Sequence, residues 1–290
     1  MFKNLCAWVY PGGDKLALEE ILDIAKRTGY RSIELPVRQV KELIEATSAE
    51  RVRKQFSSRG LLPGGWQVDD RWRADASGYQ QLLKELPASA KMGEVLECRR
   101  AFLWMPSYSD ERDFDANFAW HVERLRPIAR ILKAHGGRLG LEWQGPRTLW
   151  AGHKYAFVHN LSGTRELIRA IGEDNVGLLL DAWHWFTSQD TPDELRKLRA
   201  DDVVYVHISD APRGVHIHRH LDHVREVPGS TGVIDLVGFL ECLKEIGYAG
   251  PVEPSVVGSK VLEGKTVEEA ARINSQALDR LFARAGIKES

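Results

Sequence analysis

The chain contains little cysteine. Its three cysteines, Cys6, Cys98 and Cys242, are odd in number and far apart, and no CxxC motif occurs among the 290 residues. Such cysteines do not form the disulfide framework of a small secreted domain or the thiolate set of a structural zinc site. We therefore expect a protein of a reducing compartment without a thiolate metal site.

Long apolar runs and an excess of charge are also absent. No stretch of 18 apolar residues occurs, and the N-terminal segment lacks the apolar region and cleavage site of a signal peptide. The 40 basic residues are balanced by 41 acidic ones, which leaves a formal net charge of −1. This balance does not favour nucleic acid or an anionic membrane as a partner. We expect a cytoplasmic protein that acts on a small molecule.

The chain does have a regular alternation of strand-like segments with amphipathic helices. Its hydrophobic fraction of 43% suffices for a large core, and no linker or short-period repeat divides it. A helix between successive strands makes those strands parallel. The pattern predicts an α/β fold, a (β/α)8 TIM barrel forming a single domain over 1–290, with a doubly wound open sheet as the alternative. The eight predicted strands are 3–10, 31–37, 61–68, 100–106, 138–144, 176–186, 203–211 and 250–257.

The third predicted strand is irregular. It contains Pro63, Gly64 and Gly65, which disfavour a central strand unless they form a bulge or a turn. On either side of it we predict a helix over 40–59 and a divided helix, with pieces at 79–86 and 92–98.

Four residues able to ligate a divalent metal lie at the ends of four successive predicted strands. They are Glu142, Asp181, His207 and Glu253, separated by 39, 26 and 46 residues. Each separation accommodates one strand, one helix and their loops, since a TIM barrel averages about 30 residues per unit. Active sites of this fold lie at the carboxyl ends of the strands, so we expect the four side chains to converge on one metal site.

The predicted ligand set is mainly oxygen, which favours Mn²⁺ and also suits Mg²⁺, Co²⁺ or Zn²⁺. A metal there would act as a Lewis acid on a substrate carbonyl and stabilise the enediolate that forms when the adjacent carbon loses a proton. Glu142 and Glu253 belong to the fifth and eighth predicted strands. They can therefore approach a substrate from two sides, so that one removes a proton and the other returns it.

The motifs around these residues resemble those of the xylose-isomerase-like TIM barrels, specifically the sugar phosphate isomerase/epimerase family. That family includes ketose 3-epimerases and inositol-catabolic isomerases and dehydratases. The motifs are LGLEW (Glu142), LLLDAWHW (Asp181), VHISD (His207) and PVEPS (Glu253). The resemblance implies one divalent ion on these residues, substrate contacts from His184 and Arg225, and a homo-oligomer. For His184, a buried ring bonded to the backbone is the alternative.

Such enolisation leaves three reaction outcomes open. Return of the proton to the opposite face is epimerisation, return to the neighbouring carbon is isomerisation, and loss of a β-hydroxyl is dehydration. We predict a metal-dependent sugar or cyclitol isomerase or epimerase, with a lyase acting on a keto-sugar or keto-inositol as the alternative. A non-catalytic sugar-binding protein is an alternative of another class. A DNA-repair endonuclease is disfavoured, because it needs a multinuclear zinc site and a basic groove.

Three further side chains are candidates for the substrate site. Trp104 lies near a strand end, where an aromatic face can pack against a sugar ring or simply against the rim. Glu34 ends the second predicted strand and could bind a substrate hydroxyl or pair with Arg38. Lys154 lies in a predicted lid, the segment 146–160. No Gly-rich phosphate-binding motif accompanies them, so a phosphorylated substrate has no direct support.

Asp210 and a histidine cluster lie close by in the sequence. Asp210 follows His207 by three residues, and a loop-capping role or the orientation of that histidine is favoured over direct ligation. The cluster comprises His216, His218, His220 and His223. Its alternating spacing is typical of an extended surface loop or lid, so we assign it no second metal site.

Overall fold

The computed structural model describes residues 1–289 and has the predicted closed parallel barrel. Its strands are β1 Phe2–Leu5, β2 Ser32–Glu34, β3 Leu62–Gln67, β4 Arg100–Met105, β5 Tyr108–Ser109, β6 Arg138–Trp143, β7 Tyr155–Ala156, β8 Val176–Asp181, β9 Val203–Ile208 and β10 Pro251–Pro254. Eight of them close in the order β1, β10, β9, β8, β6, β4, β3, β2. The remaining two, β5 and β7, form a separate antiparallel pair. The TIM barrel prediction is confirmed, and a single domain over 1–290 stays a prediction.

Eleven α-helices occur within the described residues. They are α1 Leu18–Thr28, α2 Val37–Ala46, α3 Ala49–Ser57, α4 Ala76–Val95, α5 Phe114–Ala134, α6 Arg147–Trp150, α7 Leu161–Ile171, α8 Ala182–Thr187, α9 Pro192–Arg196, α10 Leu236–Glu245 and α11 Val267–Arg284. None of these helices combines the length and the apolar character needed to cross a membrane.

Local sequence signals explain where several helices begin and end. Gly29 ends α1 with a left-handed φ of 79°, a conformation that glycine adopts without a steric penalty. The Asp113 carboxylate caps α5 by accepting the Ala116 backbone N–H at 2.9 Å. Thr266 and Glu269 form a capping box at the start of α11. Between these ends the apolar faces of the helices pack on the outside of the barrel.

Two predicted helices differ from the observed ones. The helix predicted over 40–59 is two helices, because the chain breaks at Thr47 and the Ser48 side chain caps the start of α3. The helix predicted in two pieces is instead the continuous α4, which carries Pro87 in its interior. Hydrophobic periodicity alone did not distinguish these two cases, since packing against the barrel permits either arrangement.

All eight barrel strands are shorter than predicted, and two of these differences shape the site. The first ends at Leu5, after which Ala7 accepts a backbone hydrogen bond from Tyr10 in a turn. The strand predicted over 176–186 ends at Asp181, whose Oδ1 accepts the Trp183 N–H and starts α8. In both cases the chain turns away at the mouth of the barrel, where a functional site is expected.

The glycines of β3 make room for the barrel interior. The register between β2 and β3 shifts between Ile33 and Glu34, which accounts for the irregular third strand. A Cβ at Gly65 would lie 2.5 Å from Cε2 of Tyr205, so no larger residue fits there. Tyr205 stacks on Phe102 inside the barrel with ring centroids 4.5 Å apart. The third predicted strand is therefore present, with an irregular register to β2.

Candidate active site

Four strand ends meet at the carboxyl-terminal mouth of the barrel. Glu142 lies on β6, Asp181 on β8, His207 on β9 and Glu253 on β10. His207 is the cross-strand neighbour of both Asp181 and Glu253. All four side chains are buried, so the barrel brings the predicted ligand residues together in one place.

The His207 imidazole lies between two carboxylates. Its Nδ1 is 3.0 Å from Oε1 of Glu142, and its Nε2 is 3.2 Å from Oε1 of Glu253. The second contact lacks hydrogen-bond geometry, so we treat it as an electrostatic contact only. Burial alone would lower the pKa of His207, but Glu142 and Glu253 raise it well above 6.5. The ring is therefore the positive partner of both carboxylates.

Glu253 is held by two donors from other strands. Its Oε2 accepts the Asn4 amide at 2.6 Å and the Tyr205 hydroxyl at 2.7 Å. Burial, then the charge of Glu253, raises the pKa of Tyr205, which keeps its proton and donates it. Because Oε2 is bonded twice, Oε1 is the Glu253 oxygen that faces His207. Neither donor was predicted from the sequence.

Asp181 is paired with Arg225, and a second carboxylate shares the guanidinium. Nη1 of Arg225 donates to Oδ2 of Asp181 at 2.7 Å, and Nη2 donates to Oδ1 of Asp222 at 2.8 Å. Burial alone would raise the pKa of Asp181, but Arg225 and His184 lower it to about 2. Arg225 therefore lies in the site, as the family resemblance implied, but its guanidinium is already shared by two carboxylates.

The His184 ring is oriented by a backbone N–H. Gly145 donates to Nδ1 of His184 at 3.2 Å, and Nη2 of Arg225, which can only donate, lies 3.3 Å from Nε2. Nε2 lies 3.8 Å from Oδ2 of Asp181 and from Oδ1 of Asp222. A Cβ at Gly145 would lie 2.4 Å from the His184 carbonyl oxygen, so this close approach requires glycine. His184 is therefore a buried ring bonded to the backbone that also lines the cavity described below, and its contact with a substrate stays a prediction.

The donor atoms of the site fit one divalent ion. A carboxylate oxygen of Glu142, one of Asp181 and a ring nitrogen of His184 lie within 4.8 Å of one another. Nε2 of His207 is buried and has no hydrogen-bond partner among residues 1–289, and loss of its proton would free this nitrogen to bind a metal. Burial of a charge is unfavourable unless it is paired, and the site buries the carboxylates of Glu142, Asp181 and Glu253. A divalent cation would add to the pairing that His207 and Arg225 provide. His184 rather than His207 completes this compact group, and Glu253 lies outside it, which the sequence did not predict.

Glu34 forms a second group with Cys6 and Glu253. One ligand atom from each of the three lies within 4.8 Å of the others. Burial and the neighbouring Glu253 raise the pKa of Glu34 well above 4.5, and its Oε1 has no partner within the described residues. Glu34 makes no ion pair with Arg38, which was its alternative role. Its surroundings therefore favour the protonated form of the Glu34 carboxyl, which lines the cavity described below.

These residues enclose a cavity of about 410 Å³ at the barrel mouth. It is lined by Cys6, Trp8, Val9, Glu34, Gln67, Phe102, Trp104, Glu142, Gln144, His184, His207, Asp222, Arg225, Glu253 and Ser255. Gln144 and Asp222 were missed from the sequence. The end of the predicted strand pointed to Glu142 as a metal ligand, but not to Gln144 two residues later. Asp222 lies in a loop that carries no motif.

Two predicted substrate residues have different surroundings. Trp104 lines the cavity, and the Arg73 guanidinium lies 3.7 Å from its ring centroid. Lys154 is exposed and does not line the cavity. Its backbone N–H donates to Asp110, and its Nζ lies 5.0 Å from the Tyr155 ring centroid. The structure therefore brings Trp104 to the site and leaves Lys154 outside it.

Asp210 caps a loop, as predicted. Its carboxylate accepts backbone N–H groups of Ala211, Thr231, Gly232 and Ile234, and it makes no contact with His207. In the histidine cluster, His220 is buried while the other three rings are exposed. Among residues 1–289 these four rings do not form a group of three ligand atoms.

Comparisons with known proteins agree with this geometry. The model of the xylose isomerase-like TIM barrel family matches residues 22–280. The inosose isomerase of Halalkalibacterium halodurans is 23% identical over 237 residues, which cover 80% of this chain and 79% of that protein. The 3-dehydroshikimate dehydratase of Pseudomonas putida is 27% identical over 143 residues, covering 49% of this chain and 22% of the dehydratase.

Two solved structures have the same fold over nearly the whole length. A xylose isomerase domain protein from Alicyclobacillus acidocaldarius superposes with a TM-score of 0.86 at 31% identity, covering 99% of each chain. The IOLI protein, solved with a bound zinc atom, superposes with a TM-score of 0.80 at 20% identity, covering 98% of this chain and 99% of its own.

Proposed function

This chain belongs to the xylose isomerase-like TIM barrel family, and from that premise we propose that it is a divalent-metal-dependent isomerase or epimerase of a sugar or cyclitol. The proposed reaction moves a proton beside a substrate carbonyl. The observation that carries the proposal is the position of Glu142 and Glu253, whose carboxylates lie on opposite sides of the His207 ring in one cavity. An inosose isomerase among the relatives supports the substrate class.

Glu142, Asp181, His207 and Glu253 are the proposed ligands of the ion, with His184 close enough to join them. When bound, the ion would polarise the substrate carbonyl and stabilise the negative charge that develops on its oxygen. Mn²⁺ remains our predicted metal, and the zinc bound in the IOLI protein supports a divalent ion in general. A homo-oligomeric state and a cytoplasmic location stay predictions.

The two glutamates differ in the hydrogen bonds that their carboxylates accept. Oε2 of Glu253 accepts two hydrogen bonds, whereas Oε2 of Glu142 accepts none from residues 1–289. We assign Oε2 of Glu142, which accepts no hydrogen bond from the described residues, as the atom that takes the proton from the substrate carbon. Glu253 would begin the cycle protonated at Oε1 and deliver that proton to the opposite face. In the reverse direction the two roles exchange.

Other side chains of the cavity would hold the substrate. The carboxylate of Asp222 can accept a hydrogen bond from a substrate hydroxyl. Trp104 and Phe102 present aromatic surfaces on which the C–H face of a sugar can pack. The burial of the ligand residues excludes water from the carbon that loses its proton.

A lyase is the second candidate, and Glu34 favours it. Expulsion of a hydroxyl as water needs an acid near the leaving group, and Glu34 is a buried cavity residue whose raised pKa keeps it protonated. The partial match to a 3-dehydroshikimate dehydratase supports the same alternative. A non-catalytic sugar-binding protein would bind the same ligands without turnover.

Proton NMR in D₂O tests the proposal. The Mg²⁺-loaded protein is incubated with ketoses, keto-inositols and 3-keto-glycosides, and deuterium is expected beside the carbonyl of the true substrate. Glu142→Gln and Glu253→Gln should reduce this exchange by about 10²- to 10⁴-fold at saturating Mg²⁺. Glu263→Gln, a change at an exposed glutamate, is the matched control and should not alter it.

The products distinguish the candidates. Retention of every hydroxyl indicates isomerisation or epimerisation, whereas an enone indicates the lyase. Bound metal, established by elemental analysis, with no exchange on any substrate would contradict both enzymatic proposals and leave the sugar-binding protein.

A further inference from the structure

A second cavity opens beside the catalytic one. Its volume is about 840 Å³, and its wall residues come from two segments that follow β6 and β9, so it lies at the same end of the barrel. One segment contributes Arg147 and Thr148, and the other contributes His216, His218 and Arg219. None of the residues assigned above to proton transfer or metal binding lines it.

The ionisable side chains that line this cavity are all basic. Two guanidinium groups and two imidazoles line it, and no carboxylate does. Arg147 and Arg219 form no ion pair with any carboxylate of residues 1–289, in contrast to Arg225, which is paired with two. A pair of exposed arginines without acidic partners offers planar N–H donors that match the oxygens of a phosphate or a carboxylate.

The two cavities share both of these segments. Gln144 lines the catalytic cavity and Arg147 the second one, while Asp222 lines the catalytic cavity and Arg219 the second. Each pair is three residues apart, a separation of at most about 11 Å between Cα atoms. The two cavities are therefore close neighbours along both segments.

The two walls are also fixed to each other. The Thr148 hydroxyl donates to the His220 carbonyl oxygen at 2.7 Å. The His220 ring packs against Trp183 with centroids 5.4 Å apart, and the Arg225 guanidinium lies 5.3 Å from the Trp183 ring centroid. The second cavity is therefore connected through packed side chains to the residues of the catalytic cavity.

We propose that this cavity binds the anionic end of the substrate, a phosphate or a carboxylate carried at the far end of the sugar from its carbonyl. The inference rests on the proposed function and narrows its substrate class to anionic sugars. Arg147 and Arg219 would be the specificity-determining residues, without any part in proton transfer.

The test compares pairs of neutral ketoses and their terminal phosphate esters or acids in the deuterium-exchange assay with the Mg²⁺-loaded protein. The variant Arg147→Gln/Arg219→Gln should lower kcat/KM for the anionic member about 10- to 100-fold and leave the neutral member unchanged. The double variant Arg51→Gln/Arg53→Gln removes the same charge from exposed positions of α3 and should change neither. Two results overturn the proposal. One is an equal kcat/KM for the neutral and the anionic sugar in the wild-type protein. The other is an equal loss of kcat/KM for both sugars in Arg147→Gln/Arg219→Gln.

Calorimetric titration with inorganic phosphate separates the cavity from the reaction. If no sugar exchanges deuterium, the proposed function fails. In that case, phosphate binding that is retained in Arg51→Gln/Arg53→Gln and lost in Arg147→Gln/Arg219→Gln still identifies an anion site, now for a free anion. Phosphate binding that is the same in all three proteins overturns the site as well.

Discussion

The Arg225 guanidinium donates to the Asp181 carboxylate at 2.7 Å, and both side chains are buried. Asp181 is also a proposed ligand of the divalent ion, so one carboxylate serves two cations. A buried carboxylate that loses its only positive partner is strongly destabilising, whereas one with a second cation is not. Arg225 therefore matters more for the stability of the metal-free protein than for that of the metal-loaded one.

Replacement of Arg225 measures this sharing. We expect Arg225→Gln to lower the free energy of unfolding of the metal-free protein by about 3–5 kcal/mol, because Asp181 is left buried and charged. With saturating Mg²⁺ the difference between variant and wild type should become smaller. Urea denaturation in EDTA and in Mg²⁺ gives the two differences, with Arg225→Lys as the control that keeps the charge. An equal loss in both conditions would show that the ion and Arg225 do not share Asp181.

Tyr205 is predicted to act on the reaction through Glu253. Tyr205→Phe removes a buried hydroxyl that donates to Oε2 of Glu253, at a cost of about 1–3 kcal/mol in unfolding free energy. We also expect deuterium exchange to fall at least about tenfold, since the carboxylate loses one of its two donors.

The matched control is Tyr248→Phe. Its hydroxyl is also buried but donates to the Pro251 carbonyl oxygen, away from the catalytic cavity. The Tyr248→Phe variant should be less stable than the wild type and should exchange deuterium at the wild-type rate. Equal exchange rates in the two variants would contradict the assignment of Tyr205.

Residues at strand ends could be predicted because their positions depend only on the period of the fold. Glu142, Asp181 and Glu253 each follow a short apolar run, and parallel strands place such ends at one mouth. Asn4 and Tyr205 could not be found in this way. They meet Glu253 from β1 and β9, and that contact exists only once the barrel has closed.

Loop residues were predicted poorly for a related reason. Asp222 enters the cavity because its loop folds back towards Arg225, and no apolar period records that path. Lys154 lies in the predicted lid, yet its segment is held by Asp110 and the β5–β7 pair, which keep it outside the cavity. Strand geometry is repetitive and loop geometry is not. Sequence patterns therefore predict the positions of strand-end residues better than those of loop residues.

Gly145 is predicted to set the position of His184. In Gly145→Ala the added Cβ would lie 2.4 Å from the His184 carbonyl oxygen and 2.6 Å from Oγ1 of Thr187. We expect a loss of about 1–3 kcal/mol in unfolding free energy and a higher KM, because the His184 ring is displaced from its place in the cavity wall. Gly152→Ala is the control in the next loop, where an added Cβ meets nothing within 4 Å. Thermal unfolding and KM are measured for Gly145→Ala and Gly152→Ala. The same unfolding temperature and the same KM in the two variants would contradict the prediction.

Asp190 lies outside the site and should make stability depend on pH. Burial raises its pKa from 3.8 to about 6. Its Oδ2 accepts the Ser188 hydroxyl at 2.5 Å and the Leu161 N–H at 3.0 Å, and an amide oxygen can accept both as well. The fold favours the protonated carboxyl, so this contribution to stability is complete below about pH 4 and is lost as pH rises through about 6.

Asp190→Asn cannot titrate and should become more stable than the wild type over that interval, by up to about 3 kcal/mol above pH 6. Urea denaturation between pH 4 and 7 measures the difference at each pH. The exposed Asp193→Asn is the control, and its stability curve should run parallel to that of the wild type. A parallel curve for Asp190→Asn would mean that this carboxyl remains ionised in the folded protein despite its burial.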